Sequence, residues 1–112
     1  MLLNRTQLNE YRKDMQDKLY TIKWKQFNHC NAYTTDETHV CYIMDNGITR
    51  IELQPIRSYE TIVALAIKVT QSNNTTYEFY EIGKYSRTTS KQVTQIYNKL
   101  YSTYDRYYVD RV

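Results

Sequence analysis

Apolar side chains recur in two different periods along this chain, and the periods divide it into helices and strands. Near the N-terminus they recur every three or four residues, which is one face of a helix. This stripe consists of Leu8, Tyr11, Met15 and Leu19. Asn4 or Thr6 can cap the helix, and Ile22 extends its stripe. The pattern predicts a helix over residues 4–19 that runs on to about residue 22.

The clearest helical period lies near the C-terminus, after a cluster of hydroxyl residues. Its apolar positions are Val93, Ile96, Tyr97, Leu100 and Tyr104. Ser and Thr side chains satisfy the unpaired N–H groups at a helix start, so Thr88 or Thr89 is the predicted N-cap, with Ser90 as a further candidate. We therefore predict a helix that ends at about Tyr104, and a tail that docks through Tyr107, Tyr108 and Val109.

Between the helical segments, four stretches alternate as strands do. They are residues 39–44, 48–54, 61–70 and 75–82. Asp45-Asn46-Gly47 is a strong turn signal between the first two, and Gln71 to Asn74 is a turn between the last two. Pro55 is expected to end the second strand or to mark a sheet edge. Residues 28–38 are polar and predict a loop.

The stretch from Thr61 to Thr70 is apolar on both faces, which indicates a central strand or one covered on both sides. Strict alternation assigns Val63, Leu65, Ile67 and Val69 to one face, and Ile62, Ala64 and Ala66 to the other. In the next strand, Tyr77 and Phe79 share one face, and Tyr80 and Ile82 share the other.

The element order is helix, hairpin, hairpin, helix. It predicts a single α+β domain over residues 1–112, with an antiparallel sheet of about four strands flanked by N-terminal and C-terminal helices on one face. A chain of 112 residues has the usual size for one hydrophobic core.

Composition and charge narrow the classes of function. The net charge is +3 and the sequence pI is about 8.8, which argues against an acidic protein that imitates DNA. Thirteen Tyr residues suit either the edge of a core or a binding surface. No signal peptide is evident, and the longest apolar run, residues 62–67, is too short to span a bilayer. We expect a protein that acts in a cytoplasm and makes no membrane contact.

Two His and two Cys residues form the one cluster of candidate metal ligands. They are His29, Cys30, His39 and Cys41. These residue types suit zinc, but two of them are adjacent and no Cys-x-x-Cys pair is present. We expect no bound metal, and a reducing compartment disfavours a Cys30–Cys41 disulfide. A zinc-stabilised module stays the alternative.

Sequence features of an enzyme are weak. No Gly-rich phosphate loop can form from two Gly residues, and Glu78 and Glu81 fall on opposite faces of their predicted strand. Neither His stands in a nucleophile motif. We predict a protein that is not an enzyme and that needs no cofactor.

Basic residues cluster instead around the start of the C-terminal helix. Lys84, Arg87, Lys91 and Lys99 lie between residues 83 and 103, a stretch without Asp or Glu. Helix N-termini favour anions, and the interleaved aromatic residues Tyr85, Tyr97, Tyr101, Tyr107 and Tyr108 suit nucleic-acid stacking. The alternative is a solvated basic face with packed tyrosines. An acidic protein partner or a homodimer would fit the same surface.

Two sequence motifs resemble a family of small phage proteins. Residues 58–64 read Ser-Tyr-Glu-Thr-Ile-Val-Ala, and residues 85–91 read Tyr-Ser-Arg-Thr-Thr-Ser-Lys. The resemblance covers residues 48–100. Gln92 stands where many members of the family have His, so a role for that His does not carry over. Some related phage and mobile-element proteins of Gram-positive bacteria resemble type II-A anti-CRISPR proteins.

The resemblance implies a phage protein that acts against host defence in the bacterial cytoplasm. The expected function is a non-enzymatic inhibitor, most specifically an anti-CRISPR protein that binds a type II Cas nuclease, or its bound nucleic acid, and blocks it sterically. The alternative is a small phage protein that binds DNA or RNA or has a regulatory role. The expected contacts are Lys84, Tyr85, Arg87, Lys91, Lys99, Tyr101 and Arg106.

Overall fold

The architecture was obtained as a computed structural model, which describes residues 4–27, 32–35, 39–44, 49–72, 74–82, 86–101 and 109–111, with backbone only for 39–44 and 109–111. The helices are α1 (Arg5–Asp17) and α2 (Arg87–Leu100). The strands are β1 (Lys25–Gln26), β2 (Ala32–Thr34), β3 (His39–Met44), β4 (Thr49–Ser58), β5 (Thr61–Gln71), β6 (Asn74–Glu81) and β7 (Val109–Arg111). The predicted α+β fold is confirmed.

All seven described strands belong to one sheet, in the order β1-β2-β4-β5-β6-β7, with β3 also paired to β4. Every pairing is antiparallel except that of β7, which lies parallel to β6. Strands β3 to β6 correspond to the four that alternation predicted. The loop prediction for residues 28–38 is wrong at Ala32–Thr34, and the C-terminal tail docks through β7.

Pro55 does not end β4, so that alternative of the prediction is wrong, but it lies at a local edge of the sheet, which is the other alternative. Its Cα pairs with that of Leu65 in β5, and the strand continues to Ser58. The Pro55 carbonyl accepts a hydrogen bond from Thr34 Oγ1 at 3.2 Å, so its carbonyl and missing N–H face away from β5. On that side, β4 pairs with β3 as far as Leu53 and with β2 from Arg57 onward. Pro55 lies in the gap between these two pairings. Proline is tolerated here because no ladder hydrogen bond is needed.

The two helices lie on opposite faces of the sheet, so the prediction that they share one face is wrong. The α1-face cluster consists of Leu8, Met15, Leu19, Ile22, Ile51, Leu53, Ile62, Leu65, Ile67, Val69 and Tyr80. The α2-face cluster consists of Phe27, Ala32, Ile56, Val63, Ala64, Ala66, Phe79, Val93, Ile96, Tyr97 and Tyr101. A strand as apolar as β5 needs cover on both sides, and the two helices provide it.

A β-bulge at Val63 changes which residues of β5 share a face. Ala64 pairs with Ile56, but the next pair joins Ile62 to Arg57, which leaves Val63 as the extra residue. Ile62 therefore packs on the α1 face and Val63 on the α2 face, the reverse of strict alternation. The faces predicted for β6 are confirmed.

Helix α1 begins where the sequence predicts and ends earlier. Asn4 caps it in a capping box with Gln7, in which each side chain accepts the other residue's N–H. The helix stops at Asp17, because the chain turns around Lys18, whose carbonyl accepts hydrogen bonds from Thr21. Leu19 and Ile22 are still buried, but they reach the core from this turn.

Helix α2 is capped two or three residues earlier than predicted. The Ser86 hydroxyl accepts the Thr89 N–H at 3.2 Å, so the N-cap is Ser86 and not Thr88 or Thr89. The predicted apolar stripe is confirmed at Val93, Ile96 and Tyr97, and the helix ends at Leu100, short of the predicted Tyr104. No helix among the described residues is long and apolar enough to cross a membrane.

Candidate functional site

Of the basic residues predicted as contacts, those that the structure describes lie on α2. Arg87 and Lys91 are exposed, one helical turn and about 6 Å apart along the axis. They lie opposite Val93, Ile96 and Tyr97, whose burial orients the helix on the sheet. The same packing that holds α2 in place therefore presents both cations to solvent.

Lys99 extends this basic surface toward β1. It lies two turns beyond Lys91, about 12 Å along the axis, and its Nζ is 5.2 Å from the ring centroid of Phe27. We call Arg87, Lys91 and Lys99 the cationic stripe. Helix α2 contains no Asp or Glu, so no acidic residue of the helix offsets the positive potential of the stripe.

Tyr101 is placed in the core and not on the predicted contact surface. Only 4% of it is exposed, and its ring centroid is 5.1 Å from that of Tyr97 and 6.3 Å from that of Phe79. Phe79 and Tyr97 meet edge to face at 5.0 Å. This aromatic cluster holds the C-terminal end of α2 on the sheet. Tyr101 therefore supports the stripe from the buried side of the helix. Lys84, Tyr85 and Arg106 lie outside the described residues.

Two hollows flank the last turn of α2, and Gln54 and Leu100 border both. One has a volume of about 250 Å³ and the other about 240 Å³. The first is lined mainly by Glu52, Ala66, Lys68, Tyr77 and Tyr101, and the second by Lys25, Phe27, Thr34, Thr35, Ile96 and Lys99. Both are smaller than the roughly 300–1,000 Å³ of sites that enclose drug-sized ligands.

The candidate zinc ligands fall largely outside the described residues. His29 and Cys30 are not described, and for His39 and Cys41 only the backbone of β3 is. Among the side chains that are described, no three His, Cys, Asp or Glu residues lie close enough together to hold a metal ion. Metal analysis of the purified protein tests the zinc alternative.

A second cluster, formed by Arg57, Tyr33 and Trp24, was not predicted from the sequence. The Arg57 guanidinium carbon is 3.8 Å from the ring centroid of Tyr33 and 5.0 Å from that of Trp24. Trp24 donates its ring N–H to the Leu19 carbonyl at 2.7 Å. Because three distant segments meet here, no local pattern could have predicted this cluster.

Both motifs behind the phage resemblance are junctions of the fold. The first forms the tight turn between β4 and β5 together with the bulge at Val63. The second forms the start of α2, with Ser86 as its cap. In the first motif Ser58, Ile62, Val63 and Ala64 are buried, whereas Tyr59, Glu60 and Thr61 are exposed. In the second motif, Arg87 and Lys91 are among the exposed residues.

Compared with known proteins, the chain matches no family model, no curated protein and no solved structure. A functional assignment therefore depends on the residues of this chain and on the geometry that presents them.

Proposed function

We propose that this protein is a non-enzymatic inhibitor, most specifically an anti-CRISPR protein that binds a type II Cas nuclease or its bound nucleic acid. The observation that carries the proposal is the cationic stripe, which is exposed on a helix without acidic residues and held by a buried aromatic cluster. The resemblance of residues 48–100 to phage proteins supports the choice of a Cas target.

Electrostatic attraction would supply orientation and association rate. Three cations spread over about 18 Å of helix complement a run of phosphates or an acidic protein patch. If all three contacted phosphates of duplex DNA, the logarithm of the binding constant would fall with the logarithm of salt concentration at a slope of about −2.7. Because α2 is already packed on the sheet, binding would order little additional backbone.

Inhibition would follow from occupancy. A domain whose largest dimension is 40 Å covers a surface of a nuclease or its nucleic acid and excludes the natural ligand from that surface. The protein itself need break no bond. This mechanism requires only that the stripe and its surroundings remain bound longer than the competing substrate.

The test is a charge reversal with a matched control. Arg87→Glu with Lys91→Glu removes the core of the stripe, whereas Arg5→Glu with Lys13→Glu makes the same change in net charge on exposed positions of α1. A panel of type II Cas nucleases is assayed for DNA cleavage with wild type and both variants. We expect wild type and the α1 variant to inhibit, and the α2 variant to lose roughly tenfold or more in potency.

Equal inhibition by the two variants would contradict the assignment of the surface, and no inhibition by wild type would contradict the Cas target. The acid-free stripe also fits the alternative of a general nucleic-acid-binding protein. A gel shift on free DNA separates the two functions. A shift accompanied by equal loss of unrelated nuclease activity would favour the general binder.

A further inference from the structure

Tyr59 occupies a conformation that few aromatic residues adopt. Ser58 pairs with Thr61, so Tyr59 and Glu60 form a two-residue turn between β4 and β5. The φ angle of Tyr59 is 53°, in the left-handed region where Gly and Asn are favoured and a bulky side chain is strained. The side chain is nevertheless 65% exposed, so the free energy gained by burying it in this chain offsets little of that strain.

Three hydrogen bonds from two side chains hold the turn that carries Tyr59. Gln16 of α1 donates its side-chain Nε2–H to the Glu60 carbonyl at 2.7 Å and accepts the Ile62 N–H on Oε1 at 2.9 Å. Arg57 donates from Nη1 to the Tyr59 carbonyl. The Tyr59 ring is therefore presented on a rigid support, as an anchor residue at an interface requires.

Two aromatic side chains lie beside this support. The Arg57 guanidinium contacts the rings of Tyr33 and Trp24. Tyr, Trp and Arg are the residue types enriched at the energetic centres of protein interfaces. We call Tyr59, with its supporting residues Arg57 and Gln16, the hairpin tip.

The charges near the hairpin tip indicate which class of partner fits. Glu60 lies in the turn itself and Asp17 is the residue after Gln16, so acidic residues accompany Arg57. Phosphates would be repelled by these carboxylates, unlike at the acid-free α2 surface. A mixed charge around exposed aromatic rings fits a protein surface instead.

We propose that the hairpin tip is a second interaction surface, which docks the Tyr59 ring into an apolar pocket of a protein partner. The inference rests on the proposed function in taking the inhibited Cas nuclease as that partner. The tip is fastened to α1, whereas the cationic stripe faces outward from the opposite side of the sheet. A target must therefore reach around the domain or offer two separate surfaces between which the domain lies.

The turn between β5 and β6 supplies a matched control. Ser72 has a φ angle of 52°, and Gln71 pairs with Asn74 across it, as Ser58 pairs with Thr61 across the Tyr59 turn. Asn tolerates the left-handed region at both positions. Tyr59→Asn removes the ring while it relieves strain, and Ser72→Asn relieves strain without removing a ring.

The experiment measures melting temperature and the affinity for the guide-loaded nuclease that wild type inhibits most strongly. We expect Tyr59→Asn to melt no lower than wild type and to bind at least about tenfold more weakly. Ser72→Asn should bind as wild type does, and Tyr59→Phe, which keeps the ring, should bind within about threefold of wild type.

Wild-type affinity of Tyr59→Asn would overturn the hairpin tip as an interaction surface and leave the proposed function intact. Equal weakening in Ser72→Asn would also overturn it, because the effect would then not depend on the ring. Failure of wild type to bind any nuclease of the panel would overturn both proposals. Weak binding confined to Tyr59→Asn, with an undiminished melting temperature, is the supporting result.

Discussion

The two faces of the sheet have a similar arrangement in the core, but the helices that cover them differ in their solvent-exposed charges. Each is covered by one helix, but α1 packs on a largely aliphatic cluster, whereas α2 packs on a cluster that centres on Phe79, Tyr97 and Tyr101. Outside, α1 carries charges of both signs and an ion pair between Lys18 and Asp14 at 3.1 Å. The sequence of α2 has no acidic residue with which to form such a pair.

This difference separates what folding requires from what it leaves open. Both helices need an apolar inner face, because β5 must be covered on both sides. An exposed ion pair such as that of α1 adds only about 0.3–0.5 kcal/mol, so the outer charges are nearly free to vary. The acid-free exterior of α2 is therefore the feature that packing explains least.

The largest expected effect tests whether the two faces form one cooperative unit. Phe79→Ala on the α2 face should lower the free energy of unfolding by about 3–5 kcal/mol, and Leu65→Ala on the α1 face by about 2–5 kcal/mol, because both side chains are fully buried. Denaturant unfolding is followed by fluorescence of Trp24, the one Trp and a neighbour of the α1-face cluster, and by near-UV dichroism, to which the α2-face tyrosines contribute.

Since β5 and β6 contribute side chains to both faces, each variant should show one transition with the same midpoint by both probes. A Phe79→Ala variant in which dichroism is lost while Trp24 fluorescence stays native would show that the faces unfold separately.

A smaller effect is expected at the hydrogen bonds that join α1 to the β4–β5 turn. Gln16→Ala leaves the partly buried N–H of Ile62 without its acceptor, which should lower the free energy of unfolding by about 1–3 kcal/mol. Gln95→Ala, at an exposed position of α2, is the control and should change it by less than about 0.5 kcal/mol. Equal values for the two variants would show that the Gln16 contacts contribute nothing measurable.

The smallest expected difference lies between the two N-caps. Asn4→Ala and Ser86→Ala should each lower the free energy of unfolding by about 0.5–2 kcal/mol. Ser86→Ala should be the more damaging, because it also removes the bond from the Ser86 hydroxyl to Thr89 Oγ1, whereas in Asn4→Ala the backbone N–H of residue 4 can still donate to Gln7 Oε1. The measurement is equilibrium denaturation of both variants. A larger loss from Asn4→Ala would mean that the start of α1 depends on the Asn4 side chain more than the remaining bond to Gln7 indicates.

Local patterns predicted the elements better than their ends. The faces of β6 follow directly from alternation, and Asn4 was recognised as a cap from its side-chain chemistry. The cap of α2 was placed too late because hydroxyl residues occupy four of the five positions 86–90, and several of them could satisfy the same N–H groups. Only the actual path of the chain selects Ser86.

The candidate site shows the same division. The exposure of Arg87 and Lys91 follows from the helical period and was predicted. Tyr101 was expected at the surface, because its position in the sequence does not reveal the packing of its ring against Phe79 and Tyr97. The contact of Arg57 with Trp24 and Tyr33 joins residues far apart in the sequence, so neither the helical nor the strand period could predict it.

The sequence by itself determined the α+β class, the apolar stripes of both helices and the acid-free chemistry of α2, because each depends on residue type and local spacing. Only the tertiary structure decided that the helices take opposite faces, that Pro55 fits within a strand, that Val63 is bulged and that Tyr59 projects from a clamped turn. Each of these depends on pairing between distant segments, where the register of neighbouring strands and the cover of both sheet faces outweigh local preference.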